Sequence, residues 1–413
     1  MESTPQHPKN WKNPFFTIWT GQAFSLLGSQ IVQFAIIWYL TEKTGSATVL
    51  ATTSMIALLP GVFLSPFIGP LIDRWNRRRI MILADSFIAL ATLVLAALFA
   101  LGLVDLWHIY AILFIRSIGE NFHRPSMTAS TSLMVPKEHL TRIQGVNQTL
   151  NGGLNIVAAP LGALLLEILP MGGIVSIDVF TALIAVVPLL FIAIPQPQKE
   201  LAESGDGPTF FQDLRAGFRY VLSWPGLLWI LIMAAMINFF LSPAMSLLPL
   251  LVKEHFGGGA LQLGWINSLF GVGVIVGGLI LGIWGGFKRH IITAMLGVIG
   301  IGLGTFILGI LPANAFTLAM LAFAITGISM PIANGSLGGI LQAAVEPKMQ
   351  GRVFSLTGSL ATAMMPIGLM LAGPLSDAFG IQLWFMLGGL LTVIMGLVGF
   401  TIPAVMNIEE RQN

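Results

Sequence analysis

The residues best able to do chemistry in this chain are charged side chains set inside long apolar stretches. Arg116, Glu120 and Arg124 are spaced by four residues, so a helix places them along one face, with His123 adjacent in sequence. A charge at membrane depth costs several kcal/mol unless it faces protein or water. Carboxylate and imidazole groups in such a setting bind and release protons. Glu120, His123 and the similarly placed Asp85 are therefore candidates for proton coupling, with Arg116 as their cationic partner.

Several acidic residues also have purely structural interpretations. Guanidiniums one helical turn away on either side favour the ionised form of Glu120, which opposes proton uptake. In that case the charges only compensate one another. Asp178 and Glu167 lie near the ends of apolar runs, where we expect them to cap or anchor a helix rather than take part in the chemistry.

Uncharged amides form a second set of polar residues on apolar helices. Such side chains are unfavourable against lipid and useful along a cavity. They also form interhelical hydrogen bonds, each contributing about 0.6 to 2 kcal/mol, so packing is the alternative interpretation. We predict a substrate cavity lined by Gln22, Gln33, Asn147, Asn151, Asn155, Asn238 and Asn334.

The composition indicates which class of protein carries these residues. Of 413 residues, 55% are hydrophobic and 9% are charged, whereas about 25% are charged in a soluble domain. A soluble core cannot bury that much apolar surface, so we predict an all-α membrane protein. The absence of cysteine excludes disulfide scaffolds and thiolate metal sites. No phosphate-binding or zinc-protease motif is found, and we expect no enzyme activity, no metal and no cofactor.

Apolar runs of about 18 residues or more predict twelve membrane-spanning helices. A polar segment after the sixth run divides the chain into an N-terminal six-helix bundle (1–195), a cytoplasmic linker with an amphipathic helix (196–223) and a C-terminal six-helix bundle (224–413). The predicted helices cover residues 15–40, 48–72, 79–103, 107–135, 143–168, 173–194, 225–250, 262–286, 291–311, 316–344, 353–376 and 383–405.

The distribution of basic residues predicts the orientation of these helices. The net charge of +2 is spread over small basic groups between the apolar runs, a pattern typical of membrane topology rather than of nucleic-acid binding. Most of these groups fall on the cytoplasmic side if both termini are cytoplasmic. No cleavable signal peptide is predicted, so we expect a multi-pass membrane protein whose first helix stays in the membrane.

The segment from Gly69 to Arg79, GPLIDRWNRRR, resembles the signature loop of the major facilitator superfamily, G-x-L-x-D-R-x-G-R-[RK]-[RK]. Asn76 stands at the second glycine of that signature, and we expect it to adopt a left-handed backbone there. The resemblance implies a cytoplasmic latch, in which an aspartate meets the N-terminus of helix 11 and basic residues pair with acids, such as Arg77 with Asp85. It assigns this gate to Gly69, Asp73, Arg74, Arg77, Arg78, Gly351 and Arg352.

Longer segments resemble the bacterial macrolide efflux permeases, which are drug/proton antiporters of that superfamily. The segments are 35–47, 71–85, 113–125 and 351–369. The resemblance implies the major facilitator fold and proton-coupled efflux of hydrophobic or amphiphilic molecules, such as macrolide antibiotics, by alternating access. It also implies a role for Arg116 in proton coupling, and it relates Pro160 and Gly162 to a helix 5 motif of antiporters.

The partners implied by the resemblance are a small-molecule substrate, protons and the lipid bilayer of a bacterial plasma membrane. We expect no nucleic acid and a functional monomer. Export of a siderophore or another metabolite, and import of a nutrient, are alternatives within the transporter class. A membrane-embedded enzyme or lipid-binding scaffold is a more distant alternative, because neither needs the gate motif.

Overall fold

The protein is described by a computed structural model that covers residues 11–196 and 218–412. Within these ranges the regular secondary structure is helical, and twelve helices have 21 residues or more. They are α1 (Lys12–Thr44), α2 (Ala47–Arg74), α3 (Arg77–Ala100), α4 (Leu106–Met134), α5 (Leu140–Ile168), α6 (Met171–Phe191), α7 (Pro225–Leu250), α8 (Ala260–Trp284), α9 (His290–Ile310), α10 (Phe316–Ala344), α11 (Pro347–Phe379) and α12 (Ile381–Thr401).

Short helical segments complete the described chain. A turn of 3-10 helix precedes α5 (Lys137–His139), and a π-helical turn continues α7 (Leu251–His255). A final short helix, α13 (Pro403–Met406), leads into a 3-10 turn (Ile408–Gln412). The all-α architecture expected from the composition is therefore confirmed.

Eleven of the described helices contain a span long and apolar enough to cross a membrane. The twelfth long helix, α4, carries Arg116, Glu120 and Arg124 in its interior, which lowers its hydropathy. Several helices are longer than their apolar runs, and α11 begins at Pro347, six residues before its predicted start. Hydropathy marks only the part that matches the hydrocarbon layer, about 20 residues, whereas the helix continues into polar surroundings.

The chain forms two compact units. The N-terminal unit consists of Met1–Ile37 and Ile56–Glu203, and the C-terminal unit consists of Trp38–Met55 and Ser204–Asn413. The boundary after Glu203 falls inside the predicted linker, of which residues 218–223 are helical and 197–217 lie outside the described part. The sequence did not predict that the end of α1 and the start of α2 belong to the C-terminal unit.

Helix α3 is central to the N-terminal unit, where it packs against α4 and α6. A glycine at position 119 permits this packing, because a Cβ atom there would lie 2.6 Å from Cγ1 of Ile88. Gly162 plays the same part between α5 and α1, where a Cβ atom would lie 2.8 Å from Cδ1 of Phe34. Pro160 lies within α5, and the helix continues through it to Ile168.

The start of α3 corrects the expectation for Asn76. Its backbone is extended, with φ −70° and ψ 109°, and its side chain accepts a hydrogen bond from the Arg79 amide at 3.1 Å. Asn76 is therefore the N-cap of α3, and the predicted left-handed conformation is wrong. An N-cap residue takes an extended backbone so that its side chain can reach a free amide of the first turn.

The C-terminal unit is built around α9 and α7. Helix α9 packs against α10 and α12, and α10 packs in turn against α8, while α7 packs against α11 and α12. Buried side chains from α7 and α9, including Leu227, Ile230 and Met295, form an apolar cluster together with Trp224. Small residues let helices approach closely where no water is available to drive association.

Asp377, near the C-terminal end of α11, joins this helix to the start of α2 within the C-terminal unit. Its carboxylate accepts hydrogen bonds from the amides of Ala47 and Thr48, at 2.7 and 3.0 Å, and from the hydroxyl of Ser46 at 3.0 Å. The first amides of a helix lack partners within the helix and carry partial positive charge. Asp377 therefore adds a second cap, from another helix, to the one that Ser46 provides by accepting a hydrogen bond from the Val49 amide at 3.3 Å.

Two adjacent glycines of α8 test whether small residues permit the close packing of helices in the C-terminal unit. A Cβ atom at Gly277 would overlap the carbonyl oxygen of Ile328 on α10, whereas one at Gly278 meets nothing within 4 Å. We expect Gly277→Ala to destabilise the protein by about 1–3 kcal/mol, because the overlap forces two backbones apart. Gel filtration of detergent-solubilised protein after a heating series measures the effect, with Gly278→Ala as the matched control. Equal melting temperatures for the two variants would contradict this packing.

Candidate functional site

A buried ion pair joins α4 to α6 in the N-terminal unit. Nη1 of Arg116 donates to Oδ2 of Asp178, and the side chains are only 3% and 1% exposed. Each charge compensates the other, since both side chains are almost fully buried. Removing one partner of such a buried pair destabilises the folded protein by about 3–5 kcal/mol.

Hydroxyl groups from α1 and α3 complete the surroundings of this pair. Ser29 donates to Oδ1 of Asp178 at 2.6 Å. The hydroxyl of Thr92 accepts a hydrogen bond from Arg116. Its oxygen lies 3.1 Å from Oδ2 of Asp178 and 2.8 Å from the carbonyl oxygen of Ile88, and its single proton can be donated to either acceptor. Four helices, α1, α3, α4 and α6, therefore meet at one carboxylate, which is satisfied on both oxygens.

This arrangement corrects two sequence-based interpretations. Arg116 does not flank Glu120 as a charge partner, because its guanidinium turns to Asp178 instead. Asp178 is not a helix cap at a membrane boundary but a buried counter-ion. The signal that identifies it is present in the sequence: Asp178 is the single charged residue of α6, and an unpaired guanidinium in α4 requires an acid at similar depth.

A second acidic residue, Asp85 on α3, forms its own cluster. Oδ2 of Asp85 accepts a hydrogen bond from the side-chain amide of Gln22 at 3.0 Å. Oδ1 lies 3.3 Å from Nε2 of His123, at ion-pair distance but without hydrogen-bond geometry. Asp85 is 5% exposed. A proton on His123 would make this contact an ion pair, whereas a neutral His123 leaves the Asp85 charge to the Gln22 amide alone.

The predicted pairing of Arg77 with Asp85 is wrong. Nη1 of Arg77 donates to the carbonyl of Ala129 on α4, at 3.2 Å, and its backbone amide donates to the side chain of Gln196. Arg78 donates to the carbonyls of Leu189 and Leu190 near the end of α6. Eight residues separate positions 77 and 85, about 12 Å along a helix. Both arginines therefore bind helix carbonyls of the N-terminal unit, which lie closer than Asp85.

The remaining gate residues cannot be placed with their partners. The side chains of Gly69, Asp73, Arg74, Gly351 and Arg352 lie outside the described residues. Their backbones are helical: the first three close α2, and the last two lie within the first two turns of α11. The gate assignment therefore remains a prediction carried by the signature loop.

A first cavity of about 350 Å³ opens beside the two clusters. Asp85, Arg116 and Asp178 line it together with Glu120 and His123. Among the described residues, Glu120 forms no ion pair, and its side chain is exposed. The remaining lining residues are Gln22, Ser25, Leu26, Ser29, Gln30, Gln33, Ala57, Leu58, Ile88, Leu113, Ser117, Arg124 and Ala182.

A second cavity of about 310 Å³ lies next to the first. The two share Gln22, Leu26, His123 and Arg124. Its other lining residues are Trp19, Ala23, Met127, Thr128, Thr131, Gln144, Asn147, Leu150 and Asn151. The indole of Trp19 donates to the side-chain oxygen of Asn147 at 2.7 Å, which fixes the ring at the wall. Apolar walls with a few placed polar groups are typical of small-molecule sites.

The structure brings together part of the predicted substrate cavity. Gln22 and Gln33 line the first cavity, and Asn147 and Asn151 line the second. Asn155, Asn238 and Asn334 line neither of these two cavities. Asn238 instead donates to the carbonyl of Ala234, four residues earlier in α7, at 2.9 Å. The side-chain amide of a polar residue on an apolar helix can therefore be satisfied without a cavity, by donating to a backbone carbonyl of the same helix.

The described residues contain no group of three or more histidine, aspartate or glutamate side chains that could hold a metal ion. The cavities are instead equipped with carboxylates, guanidiniums and one imidazole. These groups can bind a polar or charged part of a ligand and can exchange protons.

The Arg116–Asp178 pair provides a test of the site's architecture. We expect Asp178→Asn to lower stability by about 3–5 kcal/mol, because it leaves a buried guanidinium without its counter-ion. The double variant Arg116→Gln with Asp178→Asn removes both charges and recovers most of that loss. Glu167→Gln, which changes an exposed acid at the end of α5, is the control. Melting curves in detergent measure all four proteins, and a single Asp178→Asn variant as stable as the wild type would contradict the pairing.

Comparison with known proteins relates this arrangement to a family. Residues 8–412 match the family of major facilitator proteins described as transmembrane secretion effectors. Macrolide efflux protein A of Streptococcus pyogenes is 38% identical, over 94% of this chain and 96% of that protein. Macrolide efflux protein A of Enterococcus faecalis is 35% identical, over 79% of this chain and 100% of that protein.

Solved structures agree with this relationship at the level of the fold. The structure of a mutant of the nucleoside transporter NupG aligns with a TM-score of 0.75 and 11% identity, over 94% of this chain and 99% of that chain. The resemblance to macrolide efflux permeases and the major facilitator fold are thus both confirmed. The chain belongs to the transmembrane secretion effector family of the major facilitator superfamily and is a multi-pass membrane transporter of the efflux type.

Proposed function

We propose that this protein exports macrolide-type amphiphilic molecules across a bacterial plasma membrane in exchange for protons. The substrate class is supported by the two relatives named macrolide efflux protein A. The observation that carries the proposal is the pair of adjoining cavities in the N-terminal unit, whose walls combine apolar side chains with titratable groups. Such walls suit a large, mostly apolar molecule that has a few polar substituents.

Proton coupling is proposed for the titratable residues of the first cavity. Asp85 and His123 lie 3.3 Å apart, and Glu120 faces the cavity without an ion pair among the described residues. Arg116 is held by Asp178 beside them. A proton that enters from one side and a substrate that enters from the other would both alter the charge of this group. Efflux against a gradient follows if protonation and substrate binding favour opposite-facing states.

The position in the membrane is proposed from the sequence. The distribution of basic groups supports an orientation in which both termini are cytoplasmic. The signature loop then lies on the cytoplasmic side, where Asp73 would meet the first turns of α11 around Gly351 and Arg352. We propose transport rather than catalysis as the activity, with the monomer as the functional unit and no cofactor.

Accumulation of a labelled macrolide tests the proposed function. We expect efflux-deficient bacteria that express the protein to accumulate several-fold less macrolide than cells with an empty vector. A protonophore would remove the difference, because it removes the driving gradient. Cells that express Arg116→Ala at a similar level would accumulate as much macrolide as cells with an empty vector. Equal accumulation in expressing and control cells would contradict macrolide export and favour a siderophore or another metabolite as the substrate.

The gate is tested separately from substrate binding. We expect Asp73→Asn to reduce transport, because loss of a latch contact changes the free-energy difference between the two transport states. Macrolide affinity in detergent would stay within about threefold of the wild-type value, because the proposed latch does not contact the substrate. Glu138→Gln, which changes an exposed acid in another loop, is the control for surface charge. Normal transport by Asp73→Asn, or complete loss of binding in well-folded protein, would contradict the gate role.

A further inference from the structure

The second cavity has an aromatic ring fixed at its wall. The indole of Trp19 on α1 is half-buried and donates its N–H to Oδ1 of Asn147 on α5 at 2.7 Å. The ring of Phe16 packs against it, with ring centroids 6.2 Å apart and ring planes at 77°. A hydrogen bond along the N–H direction lies in the plane of the ring, so it orients the indole without covering its faces. The indole is therefore a preorganised apolar surface at this cavity.

Side-chain amides line the same cavity along one face of α5. Gln144, Asn147 and Asn151 are spaced by three and four residues, which places them on neighbouring turns of that face. Because an indole N–H can only donate, it meets the side-chain oxygen of Asn147, and the amide nitrogen keeps both of its protons. In the described part of the chain, neither this nitrogen nor the side chains of Gln144 and Asn151 form a hydrogen bond. The row of amides therefore offers both donors and acceptors to a ligand.

The charge of the second cavity differs from that of the first. Arg124 and His123 line it, whereas its lining residues in the described ranges include no aspartate or glutamate. Arg124 forms no ion pair with a described residue. A ligand cation would be repelled by this guanidinium. Hydroxyl and ether oxygens, by contrast, accept hydrogen bonds from the guanidinium and from the amides. The lining therefore favours an uncharged group that is rich in oxygen atoms.

A pyranose ring is the chemical group that matches both walls. The C–H bonds on one face of the ring carry partial positive charge, and they pack against the negative face of an aromatic π-system. Its hydroxyl groups point outward, where side-chain amides can donate to one oxygen and accept from the next. At about 310 Å³ the second cavity lies at the lower end of the range for small-molecule sites. It therefore suits a single sugar ring rather than a whole macrolide.

We propose that the second cavity is a sugar subsite, in which a neutral glycosyl substituent of the substrate stacks on Trp19 and forms hydrogen bonds with the side-chain amides of α5. This inference rests on the proposed export function, because macrolides are macrocycles that carry sugar substituents. The macrocycle itself extends toward the adjoining first cavity, which shares Gln22 and Leu26 with the second. Selection among macrocycles of similar size then depends on the sugar that each one carries.

Two forms of one macrolide separate the sugar from the macrocycle. The first form carries a neutral deoxyhexose, and the second is the same molecule after acid hydrolysis has removed only that sugar. Equilibrium dialysis of the tritiated compounds measures binding in a detergent without a sugar headgroup, because alkyl glycosides would compete for the subsite. We expect the wild type to bind the glycosylated form about 10- to 100-fold more tightly, because that form adds a stacked ring and hydrogen bonds.

Variants of the two walls locate the sugar. Trp19→Leu removes the stacking surface and would lose most of the preference for the glycosylated form. Asn147→Leu removes the hydrogen bond that orients the indole, together with an amide, and would bind the glycosylated form about 3- to 10-fold more weakly than the wild type. Both variants would bind the sugar-free form like the wild type, which verifies their folding.

The matched control is Gln148→Leu, because Gln148 is exposed on α5 next to Asn147 and lines neither of the two cavities. It would leave both affinities unchanged. A third form of the macrolide, whose amino group is acetylated and therefore neutral, tests whether the indole binds a cation instead. We expect Trp19→Leu to weaken binding of this form as much as it weakens binding of the parent compound. Loss of the Trp19→Leu effect would indicate a cation–π contact and would overturn the sugar subsite.

The remaining outcomes separate this inference from the proposed function. Equal affinity of the wild type for the glycosylated and sugar-free forms would overturn the sugar subsite while leaving macrolide binding intact. An equal loss of both affinities in Trp19→Leu would overturn the stacking role, because the indole would then contact the macrocycle or support the fold. Failure of the wild type to bind either form would overturn the macrolide proposal and, with it, this inference.

Discussion

Compensation of buried charge is the constraint on which the N-terminal unit depends. A guanidinium inside an apolar bundle is tolerated only with a counter-ion and hydrogen-bond acceptors at fixed positions. Asp178 and Thr92 provide them for Arg116, so α3, α4 and α6 have to meet at one register. Gly119, almost one turn from Arg116, lets α4 approach α3 closely enough for this. The polar cavity beside the pair is a consequence, because the same register leaves Asp85, Glu120 and His123 facing a common space.

Much of the fold could be predicted because lipid imposes a single requirement on every spanning segment. Backbone groups in hydrocarbon must be satisfied within the helix, so an apolar run of sufficient length is a helix. Even α4, whose charges lower its hydropathy, is predicted from the apolar run that precedes Arg116, although the residues after Arg116 are largely polar. The assignment of residues 38–55 to the C-terminal unit could not be predicted, since it depends on contacts such as that of Asp377 with Ala47, made between residues 330 positions apart.

The site was predictable in its members and less so in its pairings. Arg116, Asp85 and His123 stand out in sequence because charge is rare in apolar helices, and the structure places all three at one cavity. Spacing along a helix suggested Glu120 as the partner of Arg116, but a helix neighbour is only one of several groups within reach. The partner is Asp178, on a helix that follows α4 by two. Spacing along a helix identifies possible charge partners only on that helix. The packing between helices determines which acidic residue contacts which basic residue.

An aspartate near the end of α11 contacts the start of α2. Asp377, near the end of α11, accepts hydrogen bonds from the first amides of α2. The signature loop proposes the converse, with Asp73, at the end of α2, near the first turns of α11. The proposed contact would repeat the device seen at Asp377, in which an aspartate at one helix end offsets the partial positive charge at the start of another helix. The Asp377 contact joins two helices inside the C-terminal unit, to which residues 38–55 belong, so it stabilises the packing of that unit.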